Sequence, residues 1–65
     1  MEPATIGKRL ENLRGEKSQA EVAEACGISL SAVSMYERGE RVPRDEIKIK
    51  LARFYGVTVE DLFYA

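Results

Sequence analysis

Apolar side chains recur at helical spacing in the first segment of the 65-residue chain. Ile6, Leu10 and Leu13 stand at positions i, i+4 and i+7, which places them on one face of a helix. Pro3 suits the first turn of that helix, and Gly15 is a typical stop. The pattern therefore predicts a helix through TIGKRLENLRGEK with these three apolar residues on one face.

The next ten residues, SQAEVAEACG, predict a second, shorter helix. Ser18 and Glu21 have the spacing of a capping box, in which each side chain satisfies a free backbone amide of the first turn. Gly27 is predicted to end the helix with a left-handed backbone, which costs glycine nothing because it has no Cβ. The residues predicted to face inward are Val22, Ala23 and Cys26.

A third helix is predicted in SLSAVSMYERG, with Ser29 as its N-cap, Val33 and Tyr36 on its inner face and Gly39 as its stop. So few residues separate it from the second helix that the two must cross steeply, as in a helix-turn-helix. The crossing needs a small residue where the helices approach and a turn residue that tolerates positive φ. Ala23 and Gly27 meet these two needs.

The segment RDEIKIKLARFYG predicts a fourth helix, entered through Pro43. Ile47, Leu51 and either Phe54 or Tyr55 make a helical stripe, but Ile49 falls outside it. The alternation IKIK alone would suit a strand. The length of the segment and the lack of a pairing partner favour a helix.

In GVTVEDLF, Gly56 is a stop, Thr58 is a cap, and one short fifth helix carries Leu62 and Phe63. Two interpretations of Phe63 and Tyr64 remain open, as lids on the core or as a dimer patch. The chain is therefore predicted to be all-α, with five short helices in a single domain over residues 1–65.

The charge balance disfavours nucleic acid at first sight. Ten basic and eleven acidic residues give a net charge of −1 and an isoelectric point near 5.4, whereas nucleic-acid-binding domains are usually basic. Phosphates respond to local charge, however. The basic residues gather between Arg38 and Arg53, where six cations oppose three carboxylates. The chain is predicted to be electrically two-sided.

Several classes of protein are disfavoured by composition. One cysteine and no histidine leave neither an internal disulfide nor a zinc site, and neither a metal nor a cofactor is predicted. Nothing resembles a signal peptide or the ~20 apolar residues of a membrane span, so a cytoplasmic protein without a membrane partner is expected. Cys26 is interpreted as a small core residue rather than a redox group.

Burying Val33 and Tyr36 turns the other face of the third helix outward. That face carries short hydroxyls, which hydrogen-bond base edges, and apolar side chains, which pack against thymine methyl groups. It offers no nucleophile with a base, so an enzyme is not predicted. The outward residues are Leu30, Ser31, Ser34, Met35 and Arg38.

With these motifs in place, the chain resembles the Cro/repressor-type helix-turn-helix domains known as the Xre family. The resemblance runs from about Ile6 to Phe63. It is carried by IGKRLENLR, SQAEVAEACGIS, SAVSMYERGERVP and LARFYGVTVEDLF, and the combination is specific.

The resemblance implies a role for particular residues. Gln19 matches a glutamine that contacts a phosphate, and the third helix matches the recognition helix of the major groove. Arg14 and Glu37 match an internal ion pair. The fifth helix and the turn before it match a dimerisation region, here Thr58, Val59, Leu62 and Phe63. The residues predicted to contact DNA are Gln19, Ser29, Leu30, Ser31, Ser34, Met35, Arg38, Arg41 and Arg44.

This sequence departs from the family in three places. Leu30 stands where Gln or Arg is frequent, so one bidentate base contact is missing and weaker sequence discrimination is expected. The loop RGEKSQ is about two residues shorter than the common form. Arg44 replaces a usual Ser or Thr cap, and Asp45 and Lys48 replace usual apolar residues.

The plainer alternatives concern solvated surface. Ser31 and Ser34 could be ordinary helix surface, the arginines near them could be solubilising charges, and Lys48, Lys50 and Arg53 are interpreted as a solvated face. The function predicted is a sequence-specific DNA-binding transcriptional regulator, a repressor, that binds a near-palindromic operator as a homodimer. The rival is an antitoxin or accessory module of the same fold, whose partner is a toxin or another regulator.

Overall fold

The computed structural model describes residues 2–65, which are helical and turn segments without a strand. The all-α prediction is confirmed. The helices, in chain order, are α1 (Pro3–Arg14), α2 (Gln19–Cys26), α3 (Leu30–Glu37), α4 (Asp45–Tyr55) and a C-terminal π-helix (Glu60–Tyr64).

The helix ends follow local chemistry. Pro3 occupies the first turn of α1, where its missing N–H leaves no hydrogen bond unmade. The capping box predicted for α2 is present: Ser18 Oγ accepts the Glu21 N–H at 3.0 Å, and Glu21 Oε1 accepts the Ser18 N–H at 3.4 Å. Ser29 Oγ caps α3 in the same way by accepting the Ala32 N–H at 3.0 Å. These bonds begin both helices of the predicted motif.

The core lies between α1, α2, α3 and α4 and is closed by the C-terminal π-helix. The inward stripe predicted for α2 is confirmed, and so are Val33 and Tyr36. Ile6 and Leu10 of the predicted apolar face of α1 are buried, whereas Leu13 lies near the end of that helix and is 36% exposed. Gly7 is buried on that helix instead. The buried apolar residues are Ile6, Leu10, Val22, Ala23, Cys26, Val33, Tyr36, Ile47, Leu51, Ala52, Leu62 and Phe63.

Lys48 does not lie on a solvated face, and that interpretation is corrected. Its residue exposure is 6%, and its ammonium donates a hydrogen bond to Tyr64 Oη at 2.8 Å. The same ammonium lies 4.9 Å from the centre of the Tyr64 ring and 5.7 Å from that of Phe63. Asp45 supplies a carboxylate at 3.8 Å. The buried charge is thus stabilised by a carboxylate, a hydroxyl and two aromatic faces.

The C-terminal π-helix also corrects part of the dimer prediction. Leu62 and Phe63 are 1% and 2% exposed, so these two side chains belong to the monomer's core. Arg9 fastens this segment to α1 by donating to the Leu62 carbonyl at 3.1 Å. Thr58 is exposed and Val59 is partly exposed, so they remain available for contact. Of the two interpretations of Phe63, the core lid is the observed one.

Gly27→Val should destabilise the domain by about 2 kcal/mol or more, because Gly27 has φ 66° and ψ 35° and a β-branched residue is strained there. No atom lies within 4 Å of the position that a Cβ would take, so the strain is conformational rather than steric. Thermal unfolding followed by circular dichroism should show a midpoint lower by roughly 10 °C. Gly27→Asn is the matched control and should lose less, since asparagine tolerates this conformation. Unchanged melting of the valine variant would contradict this role for the turn.

Candidate nucleic-acid interface

The turn between α2 and α3 determines which face of α3 is exposed. It consists of residues 27–29, and the Ile28 N–H closes it by donating to the Ala23 carbonyl at 3.0 Å. Ile28 packs partly buried against the core. Val33 and Tyr36 then dock α3 inward with 3% and 8% exposure. The rotation of α3 about its axis is fixed by these contacts.

The opposite face of α3 forms a shallow groove with the start of α2. Leu30 is 53% exposed, Ser31 is exposed, and Ser34 and Met35 are partly exposed. The sequence predicted that these side chains would point outward, and the structure places them so. The residues that line this groove, named the α3 groove below, are Gln19, Leu30, Ser31, Ser34, Met35 and Arg38.

The three arginines predicted near the phosphates divide into two places. Arg38 lies in the α3 groove, where its Nε and Nη2 are bound by Glu40 Oε2 and Oε1 at 3.0 and 3.1 Å. Both side chains of this pair are more than half exposed, and such pairs contribute little stability. Arg41 and Arg44 line a second concavity, beside Ser29 at the start of α3. All three arginines are therefore exposed around α3, and Arg38 is the one that is paired with a carboxylate.

An ion-pair network joins α1, α2 and α3 beneath the groove. Arg14 Nε donates to Glu37 Oε2 at 2.7 Å, and Arg14 Nη2 donates to Glu37 Oε1 at 3.0 Å. The Glu37 side chain is only 6% exposed. The hydrogen bond to Glu37 raises the pKa of Arg14 above its ordinary value. This pair is the one that the resemblance implied, and it ties the end of α3 to the end of α1.

Gln19 belongs to the same network. Its Nε2 donates to Glu37 Oε1 at 2.9 Å, so the amide that the sequence assigned to a phosphate already has one protein partner. A carboxamide nitrogen carries two hydrogens, and the second is left for an anion. Glu37 therefore orients Gln19 at the rim of the α3 groove. The sequence indicated Gln19 itself but not this partner.

The partly buried Tyr55 predicts that the domain loses stability at alkaline pH. Burial, followed by the Glu37 charge, raises the pKa of Tyr55 to about 12. A raised tyrosine pKa leaves stability constant below the unfolded pKa of roughly 10 and lowers it as pH rises through that of the folded state. We expect the free energy of unfolding to fall by on the order of 1–2 kcal/mol between pH 10 and 12.

Urea unfolding at pH 9 and at pH 11.5 measures this effect. The Cys26 thiol has a pKa that burial also raises, so the comparison uses a Cys26→Ala background. In that background, Tyr55→Phe should flatten the pH dependence. An equally steep fall in the phenylalanine variant would show that other groups cause it.

Two further features, a close approach of two helices and an apolar groove, were not indicated by the sequence pattern. Gly7 marks a close approach of α1 to the backbone of α3. A mainly apolar groove on the α1 side includes Leu13 and Val57 and is lined by Arg9, Asn12, Leu13, Val57, Asp61 and Leu62.

Across residues 2–65, the acidic and cysteine side chains form no group of three that could hold a metal ion. No helix of those residues has the length and hydropathy to cross a membrane.

Comparison with known proteins adds independent findings. A family described as helix-turn-helix matches residues 8–62. The transcriptional repressor RstR of the cryptic phage CTXphi of Vibrio cholerae is 38% identical over 59 residues, which cover 88% of this chain and 53% of the repressor. A second RstR, from Vibrio cholerae serotype O1, is 37% identical over 59 residues with the same coverage.

An archaeal relative matches a shorter stretch. It is an uncharacterized helix-turn-helix-type transcriptional regulator of Methanocaldococcus jannaschii, 33% identical over 46 residues, with 71% of this chain and 70% of that protein covered. The chain spans about half the length of the phage repressors that it matches. No solved structure matches the chain.

Proposed function

The chain belongs to the helix-turn-helix family, and from this membership we propose that it is a sequence-specific DNA-binding transcriptional regulator that acts as a repressor. The matched relatives are named as transcriptional repressors or regulators, and the prediction that the chain is not an enzyme is confirmed by them and by the family. In this proposal residues 1–65 act as one DNA-binding domain, without a cofactor and in the cytoplasm.

The α3 groove is the observation that carries the proposal. α3 is a regular α-helix of eight residues, and such a helix with its side chains is about 10–12 Å across, which suits a major groove about 12 Å wide. Small hydroxyl side chains let such a helix approach base edges closely. Gln19, Arg41 and Arg44 flank α3, where they would contact phosphates and fix the position of the helix along the duplex.

The proposal includes a two-fold homodimer on a near-palindromic operator. Two half-sites one helical turn apart are separated by about 34 Å. The domain measures 26 × 22 × 22 Å, so two copies in contact have dimensions compatible with that spacing. The proposed dimer contact includes Thr58 and Val59, together with the neighbouring groove at Leu13 and Val57. A dimer also raises the modest affinity of one small domain by linking two sites.

A second candidate is a protein-interaction module of the same fold, an antitoxin or accessory subunit that binds a toxin or another regulator. The isoelectric point near 5.4 favours it, and so does the apolar groove at Leu13 and Val57. The two candidates differ in how their binding affinity should depend on salt concentration. Phosphate contacts weaken steeply with salt because they release counterions, whereas apolar docking does not.

Selection of bound sequences from a random duplex pool tests the proposed function. We expect a near-palindromic sequence to be enriched. Its affinity should fall with salt at a log–log slope of about −4, as for four phosphates neutralised in the dimer by Arg41 and Arg44 of each protomer. Failure to enrich any sequence, with DNA affinity absent at 50–200 mM salt, would contradict the first candidate and favour the second.

Single substitutions should separate base reading from phosphate contact. Ser31→Ala and Ser34→Ala should each weaken binding to the selected site by on the order of 1 kcal/mol and leave random duplex unaffected. Arg41→Ala should weaken both duplexes equally and make the salt slope about 2 units less steep, one for each protomer. Fluorescence anisotropy on both duplexes measures these effects.

Lys50→Ala is the matched control for Arg41→Ala, since Lys50 is an exposed cation on α4 outside the two concavities around α3. It should leave both affinities nearly unchanged. If the serine and arginine variants acted alike on selected and random DNA, the assignment of α3 as the reading helix would be wrong.

A further inference from the structure

The α3 groove presents one cation to a bound duplex, and that cation is paired. Guanine is usually read by an arginine or lysine that bonds two atoms of its major-groove edge. Among the residues of the groove only Arg38 is charged, and Glu40 already binds its Nε and Nη2. Within α3 itself, LSAVSMYE carries no basic residue. The helix that faces the bases therefore lacks the basic side chain that usually reads guanine.

Apolar surface is what the same groove supplies. Leu30 is 53% exposed at the first position of α3, and Met35 lies partly exposed one and a half turns later. Ser31 and Ser34 separate them on the same face and lend adaptable hydrogen bonds. The principal apolar group on a major-groove base edge is the C5 methyl group of thymine. Leucine and methionine side chains at this surface match that methyl group in chemistry.

We propose that α3 reads thymine methyl groups, with Leu30 and Met35 as the residues that determine specificity. The inference rests on the proposed function and deepens it, because it names the chemical class of DNA that the groove takes. Half-sites with thymines beneath α3 are preferred to guanine-containing ones. Affinity then depends on the C5 methyl groups themselves, whose burial is worth about fourfold in affinity for each methyl.

The contribution of the methyl groups is measured by replacing thymine with deoxyuridine, which pairs with adenine in the same way but lacks the methyl. The probe is the duplex sequence enriched by the selection described above. It is synthesised in several versions, each with deoxyuridine in place of one thymine of a half-site. Fluorescence anisotropy at a fixed salt concentration gives the ratio of the two dissociation constants. We expect about a fourfold loss at each contacted thymine and none at thymines outside the half-sites.

The variants assign each methyl to a side chain. Leu30→Ala should bring the thymine-to-deoxyuridine ratio close to one at one position of the half-site, and Met35→Ala should do so at another. Ile49→Ala is the matched control, because Ile49 is 45% exposed on α4 and lies outside the groove. The control should keep the full ratio at both positions. Thermal melting of each variant confirms that it remains folded.

The outcomes separate the inference from the function on which it rests. Failure to enrich a sequence would overturn the proposed function and this inference with it. An enriched sequence with guanine in place of thymine under α3, or one that binds equally well with deoxyuridine, would overturn the inference alone. A deoxyuridine effect that persisted in both Leu30→Ala and Met35→Ala would also overturn it.

Discussion

Gly7→Ala should destabilise the domain by about 3 kcal/mol, although alanine normally favours a helix interior over glycine by ~1 kcal/mol. A Cβ at Gly7 would lie 2.9 Å from the Tyr36 carbonyl oxygen and 2.9 Å from the Glu37 carbonyl carbon. Both neighbours are backbone atoms of α3, so no side-chain rotation relieves the contact. α1 would have to move away from α3 and loosen the packing of Ile6 and Leu10.

Urea and thermal unfolding measure this prediction, and the thermal midpoint should fall by on the order of 15 °C. Gly56→Ala is the control, since no atom lies within 4 Å of its Cβ position and only its left-handed backbone, with φ 69° and ψ 31°, is unfavourable. That change should cost roughly 1 kcal/mol. A Gly7→Ala variant at least as stable as the natural sequence would mean that α1 and α3 are not in such close contact.

Glu37→Gln should have the second large effect, a loss of about 3 kcal/mol. Removing the carboxylate leaves the Arg14 guanidinium partly buried without its charge partner, and breaking such a pair typically costs 3–5 kcal/mol. The lower end applies because the Arg14 side chain is 19% exposed and its Nη1 still donates to the Lys17 carbonyl at 2.7 Å. Chemical denaturation at neutral pH measures the loss.

A double-mutant cycle tests whether the loss comes from the stranded charge. Arg14→Met combined with Glu37→Met should be much less destabilised than the sum of the two single changes, because an apolar pair leaves no charge unpaired. The exposed pair of Arg38 and Glu40 provides the control, and Glu40→Gln should cost less than about 1 kcal/mol. Additive losses at Arg14 and Glu37 would contradict a coupled pair.

The motif around the turn could be predicted from sequence because its determinants are local. Ser18, Glu21 and Ser29 satisfy amides only three residues away, and Gly27 adopts its left-handed conformation at the end of a short helix. Spacing alone therefore indicated where α2 and α3 begin and end. The outward face of α3 followed from the inward positions of Val33 and Tyr36.

Other features depend on how distant segments meet, and sequence spacing does not carry that information. Lys48 is buried because Phe63 and Tyr64 return over it from the C-terminal end, although its charge suggested solvent. Leu13 satisfies helical periodicity, but α1 ends at Arg14 and its last turn is left partly exposed. In the sequence, Gly7 suggests only a residue that weakens a helix. Its role in the close approach of α1 to α3 depends on the path of α3.

The hydrogen-bond partners of the residues in the α3 groove also depend on tertiary placement and rotamers. Sequence reasoning placed Arg38 and Gln19 beside DNA, and both line the α3 groove. It did not indicate that Glu40 would hold Arg38 or that Glu37 would hold Gln19. These pairings change what the two residues offer, since each has given part of its donor capacity to a carboxylate.

The placement of α3 in the major groove is tested most directly by nuclear magnetic resonance of the protein titrated with its selected duplex. Amide and side-chain signals of Leu30, Ser31, Ser34 and Gln19 should shift most, while those of Ile49 and Lys50, which are exposed on α4 outside the α3 groove, should change little. A titration in which Ile49 and Lys50 shifted and the α3 residues did not would contradict the proposed interface.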